Sequence, residues 1–105
     1  MNIDISAKDF QLTPANRLYV EEKMIKLRHF NDTMNRIRVE LDVDHNATKG
    51  MINRVEVWIH LPGQIISAGM KAEHMNEAID LVFPKLEKQL VKLKERKLSK
   101  IRRQR

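Results

Sequence analysis

A chain of 105 residues with no cysteine and a formal charge of +6 can bury a core of its own, since domains near this size hide roughly two-thirds of the surface that their unfolded chains expose. Disulfides, thiol catalysis and cysteine-ligated zinc are excluded, and neither a signal-like opening nor an apolar run of about 18 residues is present, so a cytoplasmic protein without a membrane partner is expected. The charge is segregated: residues 85–105 hold ten Lys and Arg against two Glu, while residues 1–84 hold ten against twelve acids, a pattern that points first to a polyanion such as nucleic acid.

Residues 2–7 (Asn2, Ile3, Asp4, Ile5, Ser6, Ala7) alternate as a half-buried strand does. Thr13 followed by Pro14 marks a helix start, Thr as the cap and Pro at the first helical position. The helix should run to about Phe30 with Val20, Met24 and Leu27 inward, and Asn31, Asp32 and Thr33 should end it. Residues 36–44 alternate again, Ile37, Val39, Leu41 and Val43 to one side and Arg36, Arg38, Glu40, Asp42 and Asp44 to the other. After a polar loop from His45 to Gly50, a third strand turns Val55, Val57, Ile59 and Leu61 inward and Arg54, Glu56, Trp58 and His60 outward. Pro62-Gly63 suits the centre of a type II turn. A fourth strand follows over Gln64 to about Ala72, its facing obscured by Ala68 and Gly69.

The closing helix begins near His74 or Met75 and carries two stripes. Met75, Ile79, Val82, Leu86, Leu90 and Leu93 advance by three and four residues and should pack on the sheet. Lys85, Lys88, Lys92, Arg96, Lys100 and Arg103 keep the same spacing along one flank. Like charges at these intervals cost a few tenths of a kcal/mol per pair, so the helix gains from a polyanion that neutralises it. A solvated face that complements the helix C-terminus is the plainer reading for an ordinary helix, but the excess of cations here outweighs it. Pro84 lies inside this helix, where a missing N–H and ring clash cost about 3 kcal/mol, and a kink is expected between Asp80 and Pro84.

The element order β-α-β-β-β-α predicts an α+β fold: a two-layer sandwich with a four-stranded sheet, both helices on one face, and the first two strands parallel. Double-stranded-RNA-binding modules share part of this order. One domain over residues 1–99 is expected, with residues 100–105 as a basic extension that orders on RNA.

Other chemistry finds little support. His29, His45, His60 and His74 are scattered without metal-ligand spacing, no glycine-rich phosphate loop fits three Gly, and Asp42 with Asp44 reads as a solvated strand face rather than an acid/base pair. No enzyme, metal, cofactor or small-molecule substrate is expected. Trp58, on the sheet face away from the helices, is a candidate for stacking on unpaired bases, though cross-strand cover of a wet sheet and a weak self-association patch are the commoner explanations. Leu18 and Ile25, seven apart on the outer side of the first helix, are exposed apolars of the same ambiguous kind.

The segments LTPANRLYVEEKMIKLRHF and AIDLVFPKLEKQLVKLKERK resemble the ribosome hibernation promoting factor family, which includes protein Y and was once called the sigma-54 modulation proteins. The resemblance spans roughly residues 1–97 and rests on a T-x-A-x-R-x-Y/F-V opening of the first helix and an M-x-x-A-I-D…K-L-x-K/R-Q-L-x-K pattern in the second. It implies a non-enzymatic factor of stress and stationary phase that lodges in the messenger and tRNA channel of the small ribosomal subunit and inhibits translation by occlusion. The implied partners are that subunit and its ribosomal RNA, with ribosome dimers left open and the free protein monomeric. By motif position, Arg17, Lys23 and Lys26 of the first helix and Lys85, Lys88, Lys92 and Lys94 of the second would touch RNA. Arg96, Lys100 and Arg103 join them on charge and spacing alone.

Three departures from the family pattern stand out: Asn76 where an aromatic is usual, His74 where an Asp cap is common, and Pro84 inside the second helix. Protein Y ends in an acidic tail whereas this chain ends in a basic one, which favours the short hibernation-promoting type without a second, dimerising domain. The competing reading from another class is a protein-interaction module whose basic helix docks an acidic protein or a second copy of itself.

Overall fold

The computed structural model describes residues 2–45 and 52–103, with side chains described through Lys97. The elements are β1 (Asn2–Lys8), α1 (Pro14–Ile25), a 3-10 turn (Lys26–His29), β2 (Arg36–Asp44), β3 (Ile52–Leu61), β4 (Gln64–Ala72) and α2 (Met75–Arg103). The expected loop from His45 to Gly50 lies, after His45, outside the described residues.

The start of α1 is fixed locally. The Thr13 hydroxyl accepts from the Asn16 backbone N–H at 3.1 Å, and the Asn16 side-chain oxygen accepts from the Thr13 N–H at 3.3 Å, so two otherwise orphaned donors are satisfied reciprocally while Pro14 has none to lose. The helix ends five residues sooner than its periodicity suggests, because residues 26–29 tighten into a 3-10 turn, as helix C-termini commonly do. Asn31 then closes the turn by accepting the Thr33 N–H at 2.8 Å.

The sheet order is β1-β2-β3-β4, with β1 parallel to β2 and the other pairs antiparallel. Register follows from the alternation: Ile37 faces Ile59, Val39 faces Val57 and Leu41 faces Val55, and all six are buried. A slip of one residue would turn this whole set to water. The uncertain strand is settled by the same pairing, which turns Ile66, Ala68 and Met70 inward opposite Ile59, Val57 and Val55. Pro62-Gly63 makes the predicted turn, with Gly63 at φ +78°, the value a type II turn demands at its third position.

Both helices cover one sheet face. Val20, Met24 and Leu27 from α1 and its 3-10 turn meet Ile79, Val82, Leu86 and Leu90 of α2 in one apolar core, and no polar or charged side chain is buried among the described residues. Each such side chain contributes about 1.5–3 kcal/mol on burial. The helix α2 runs through Pro84 as one element, with Val82 and Leu86 on either side fully buried. Among the side chains described, Leu93 is the last of α2 packed against the core. Beyond it α2 extends about 15 Å to Arg103, so the basic extension expected from Lys100 begins as the last turn of the helix, and Gln104 and Arg105 lie outside the described residues. This overhang explains a radius of gyration of 15.5 Å where about 13 Å would suit a compact chain of this length.

Candidate nucleic-acid interface

The cations of α2 fall on definite sides of the helix. With about 100° per residue, Lys85, Lys88, Lys92 and Arg96 lie on the flank toward β4, whereas Lys94 lies toward α1. All five are exposed. Lys88, Lys92, Lys94 and Arg96 make no ion pair among the described residues, so their charges are available to a ligand. The side chains of Lys100 and Arg103, which the same spacing selects, lie outside the described residues.

Lys85 is different. Its Nζ donates to the Gly69 carbonyl at 3.4 Å, and one turn later Gln89 Nε2 donates to the Ser67 carbonyl at 2.8 Å. Both carbonyls belong to the outer edge of β4, where an unpaired row of backbone groups would otherwise invite another strand.

The cations of α1 are not one surface. Arg17 and Lys26 are exposed, but Lys23 is drawn into the junction with α2, its Nζ 3.2 Å from Asp80 Oδ1 and 5.8 Å and 5.9 Å from the ring centres of Tyr19 and Phe83. The Tyr19 hydroxyl donates to the same Asp80 oxygen. That hydrogen bond, aided by burial and by the negative charge of Asp80, pushes the Tyr19 hydroxyl up to about 12. The Asp80 carboxyl is held below its ordinary value, chiefly by the bond from Tyr19, which outweighs the opposing effect of burial, and further by the hydrogen bond and charge of Lys23. The charge of Lys23 is therefore largely answered within the protein, unlike the free cations of α2.

On the opposite sheet face, the Arg38 guanidinium carbon stands 4.4 Å from the centre of the Trp58 ring. The two residues are direct cross-strand partners, a cation–π arrangement that gives Trp58 the cross-strand cover considered for it. Asp42, considered with Asp44 as a carboxylate pair, accepts from Arg54 Nη2 at 3.1 Å.

Sequence reasoning missed Tyr19, Asp80 and Gln89 as contacts between elements. Tyr19 and Lys23 are one turn apart on α1, a spacing that puts them on a shared face, but nothing local says that Asp80, 61 residues after Tyr19, is what they meet.

The geometry has counterparts. A family model described as sigma 54 modulation protein / S30EA ribosomal protein matches residues 3–98. The ribosome hibernation promoting factor of Azotobacter vinelandii is 33% identical over 105 residues, which is all of this chain and 94% of that protein. The ribosome hibernation promotion factor of Deinococcus radiodurans is 38% identical over 92 residues, covering 88% of this chain and 48% of that protein, so this chain spans about half the length of that longer relative. A ribosomal subunit interface protein from Coxiella burnetii superposes with a TM-score of 0.80 at 26% identity, over 90% of this chain and 99% of that one. The N-terminal domain of Thermus thermophilus protein Y gives 0.75 at 26% identity, over 89% and 99%. A matching fold, a family match across nearly the whole sequence and relatives above 30% identity together show that this chain belongs to the sigma 54 modulation protein / S30EA ribosomal protein family, the family of the ribosome hibernation promoting factors.

Proposed function

We propose that this chain binds the small ribosomal subunit in the channel used by messenger RNA and by the A- and P-site tRNAs, and inhibits translation by occupying it. The observation that carries the reading is the run of free, exposed cations Lys88, Lys92, Lys94 and Arg96 on a helix that outreaches its core. Such a projection can enter a cleft walled by phosphates, where each cation releases condensed counterions. The shape of the cleft, not base sequence, would supply specificity, since phosphate contacts position without reading bases.

In this reading Lys88, Lys92, Lys94 and Arg96 hold phosphates, Lys100 and Arg103 extend the contact along the overhang, and Arg17 and Lys26 add to it from α1. Lys85 can join while still donating to the Gly69 carbonyl, since its ammonium has three donors, whereas Lys23 would share its charge with Asp80. Trp58 would meet a base through the guanidinium of Arg38, which lies against its ring. The protein acts by occupancy and needs no turnover, which suits the preservation of idle ribosomes in stress or stationary phase. Its place in the cell would be that of the ribosome.

Chemical footprinting of ribosomal RNA with and without the protein tests this. Protections clustered along the messenger and tRNA channel are expected. Protections confined to the outer surface of the subunit would sink the occlusion mechanism.

A further inference from the structure

The helix α2 is held on both flanks by side chains that carry none of its free charge. Viewed down its axis from the buried row at Leu86, Asp80 lies about 120° to one side, while Lys85 and Gln89 lie about 100° and 60° to the other. On the first side Asp80 receives the Tyr19 hydroxyl and the Lys23 ammonium of α1. On the second, Lys85 and Gln89 donate to the edge carbonyls of Gly69 and Ser67.

Met75, Ile79, Val82, Leu86 and Leu90 seat α2 on the sheet, and the two flanking ties add to this by opposing roll of the helix about its own axis in opposite senses. Pro84 makes the tie at Asp80 more consequential. A proline at this position has no N–H for the Asp80 carbonyl four residues earlier, so the turn least braced by its own backbone is the one whose carboxylate is anchored to α1.

We propose that Tyr19, Asp80 and Gln89 form a roll clamp, and that these three are positioning residues that set the direction in which Lys88, Lys92 and Arg96 face the ribosomal RNA. The proposal rests on the small-subunit reading above. A roll of about 20° carries a group at the side-chain radius of a helix, about 6 Å, through about 2 Å. That is enough to turn a charge-assisted hydrogen bond of about 2.8 Å into a gap. A rigid, shaped cleft registers such an error, whereas a flexible single strand adjusts to it.

The test uses two substitutions that change no charge, Tyr19→Phe and Gln89→Leu, in the full chain. Circular dichroism first establishes that each variant is folded at the assay temperature. Affinity is then measured against purified small subunits and against an unstructured RNA oligonucleotide, each over a series of salt concentrations. Each variant should bind small subunits about fivefold more weakly, as it would when the competent roll is populated about one-fifth of the time. Its salt slope and its affinity for the oligonucleotide should match those of the parent. Unchanged small-subunit affinity in both variants would overturn the clamp, and so would a parallel loss on the oligonucleotide with a shallower salt slope, which would make Tyr19 or Gln89 a direct RNA contact. Lys88→Glu with Lys92→Glu, measured alongside, separates the two levels: if that pair retains full small-subunit binding, the RNA reading itself has failed, whereas its loss beside unaffected Tyr19→Phe and Gln89→Leu condemns the clamp alone.

Discussion

Replacing Pro84 with Ala should stabilise the protein, although it alters a residue inside the helix that carries the charge. Pro84 is exposed, so the substitution leaves no cavity. A proline in a helix interior is about 3 kcal/mol worse than alanine in regular helices, part of it the absent N–H, whose restored bond to the Asp80 carbonyl is worth about 0.5–1.5 kcal/mol net. The whole difference is not recoverable, because α2 already continues through this position with Val82 and Leu86 packed. Alanine also restores freedom to the unfolded chain that proline removes, a loss of about 0.4–1 kcal/mol. The balance is a gain of about 1–2 kcal/mol, or a rise in Tm of about 5–10 °C for a domain near this size. Thermal unfolding followed by circular dichroism, with urea titration as a second measure, reads it directly. A fall in Tm would refute the reasoning, since it would mean that Pro84 stabilises α2 through contacts and not despite its backbone.

Tyr19 is the one tyrosine of the chain, so near-ultraviolet absorbance of tyrosinate reports it alone. Its ionisation should centre at about 12, and Asp80→Asn should move it back toward the usual value near 10. Because the folded value is raised, the stability contributed by this bond is fully present below about 10 and lost as pH rises through about 12. The depressed Asp80 carboxyl works in the opposite sense, contributing above its unfolded range and fading as pH falls through its lower folded value. Leu86→Ala removes a fully buried side chain and should cost about 2–5 kcal/mol in denaturant unfolding. Gly69→Ala, by contrast, should change stability by less than about 1 kcal/mol. The new Cβ would come within 2.5 Å of Glu56 Oε1, but that is the free end of a flexible side chain on the wet face and can swing aside.

Local signals in the sequence were sufficient wherever one element and one face were at stake. The alternation of residues 36–44 and 55–61 gave the faces that bury Ile37 and Ile59, Thr13-Pro14 gave the start of α1, and Pro62-Gly63 gave the turn before β4. The stripe from Met75 to Leu90 packs as its spacing requires. What escaped was anything decided by which flanks of different elements come together. Lys23 is indistinguishable in sequence from Lys26, yet one is paired with Asp80 and the other is exposed. Lys85 shares the spacing of Lys88 and Lys92, yet it leans on a strand edge that exists only once β4 has paired with β3. Trp58 gave no sign that Arg38 would cover it, because that contact depends on the register of two strands. Charge and periodicity therefore located the basic helix, while the division of its neighbourhood into free cations and internally answered ones required the fold.

The central claim is that the free flank of α2 binds small-subunit RNA through phosphates. Co-sedimentation with purified small subunits over a series of salt concentrations, for the parent chain and for Lys88→Glu with Lys92→Glu, tests it most directly. Binding of the parent should weaken steeply with salt, and loss of two phosphate contacts should reduce the log–log slope by about 1.4–1.8 while weakening binding at every salt concentration. The same affinity and the same slope in both proteins would contradict the account.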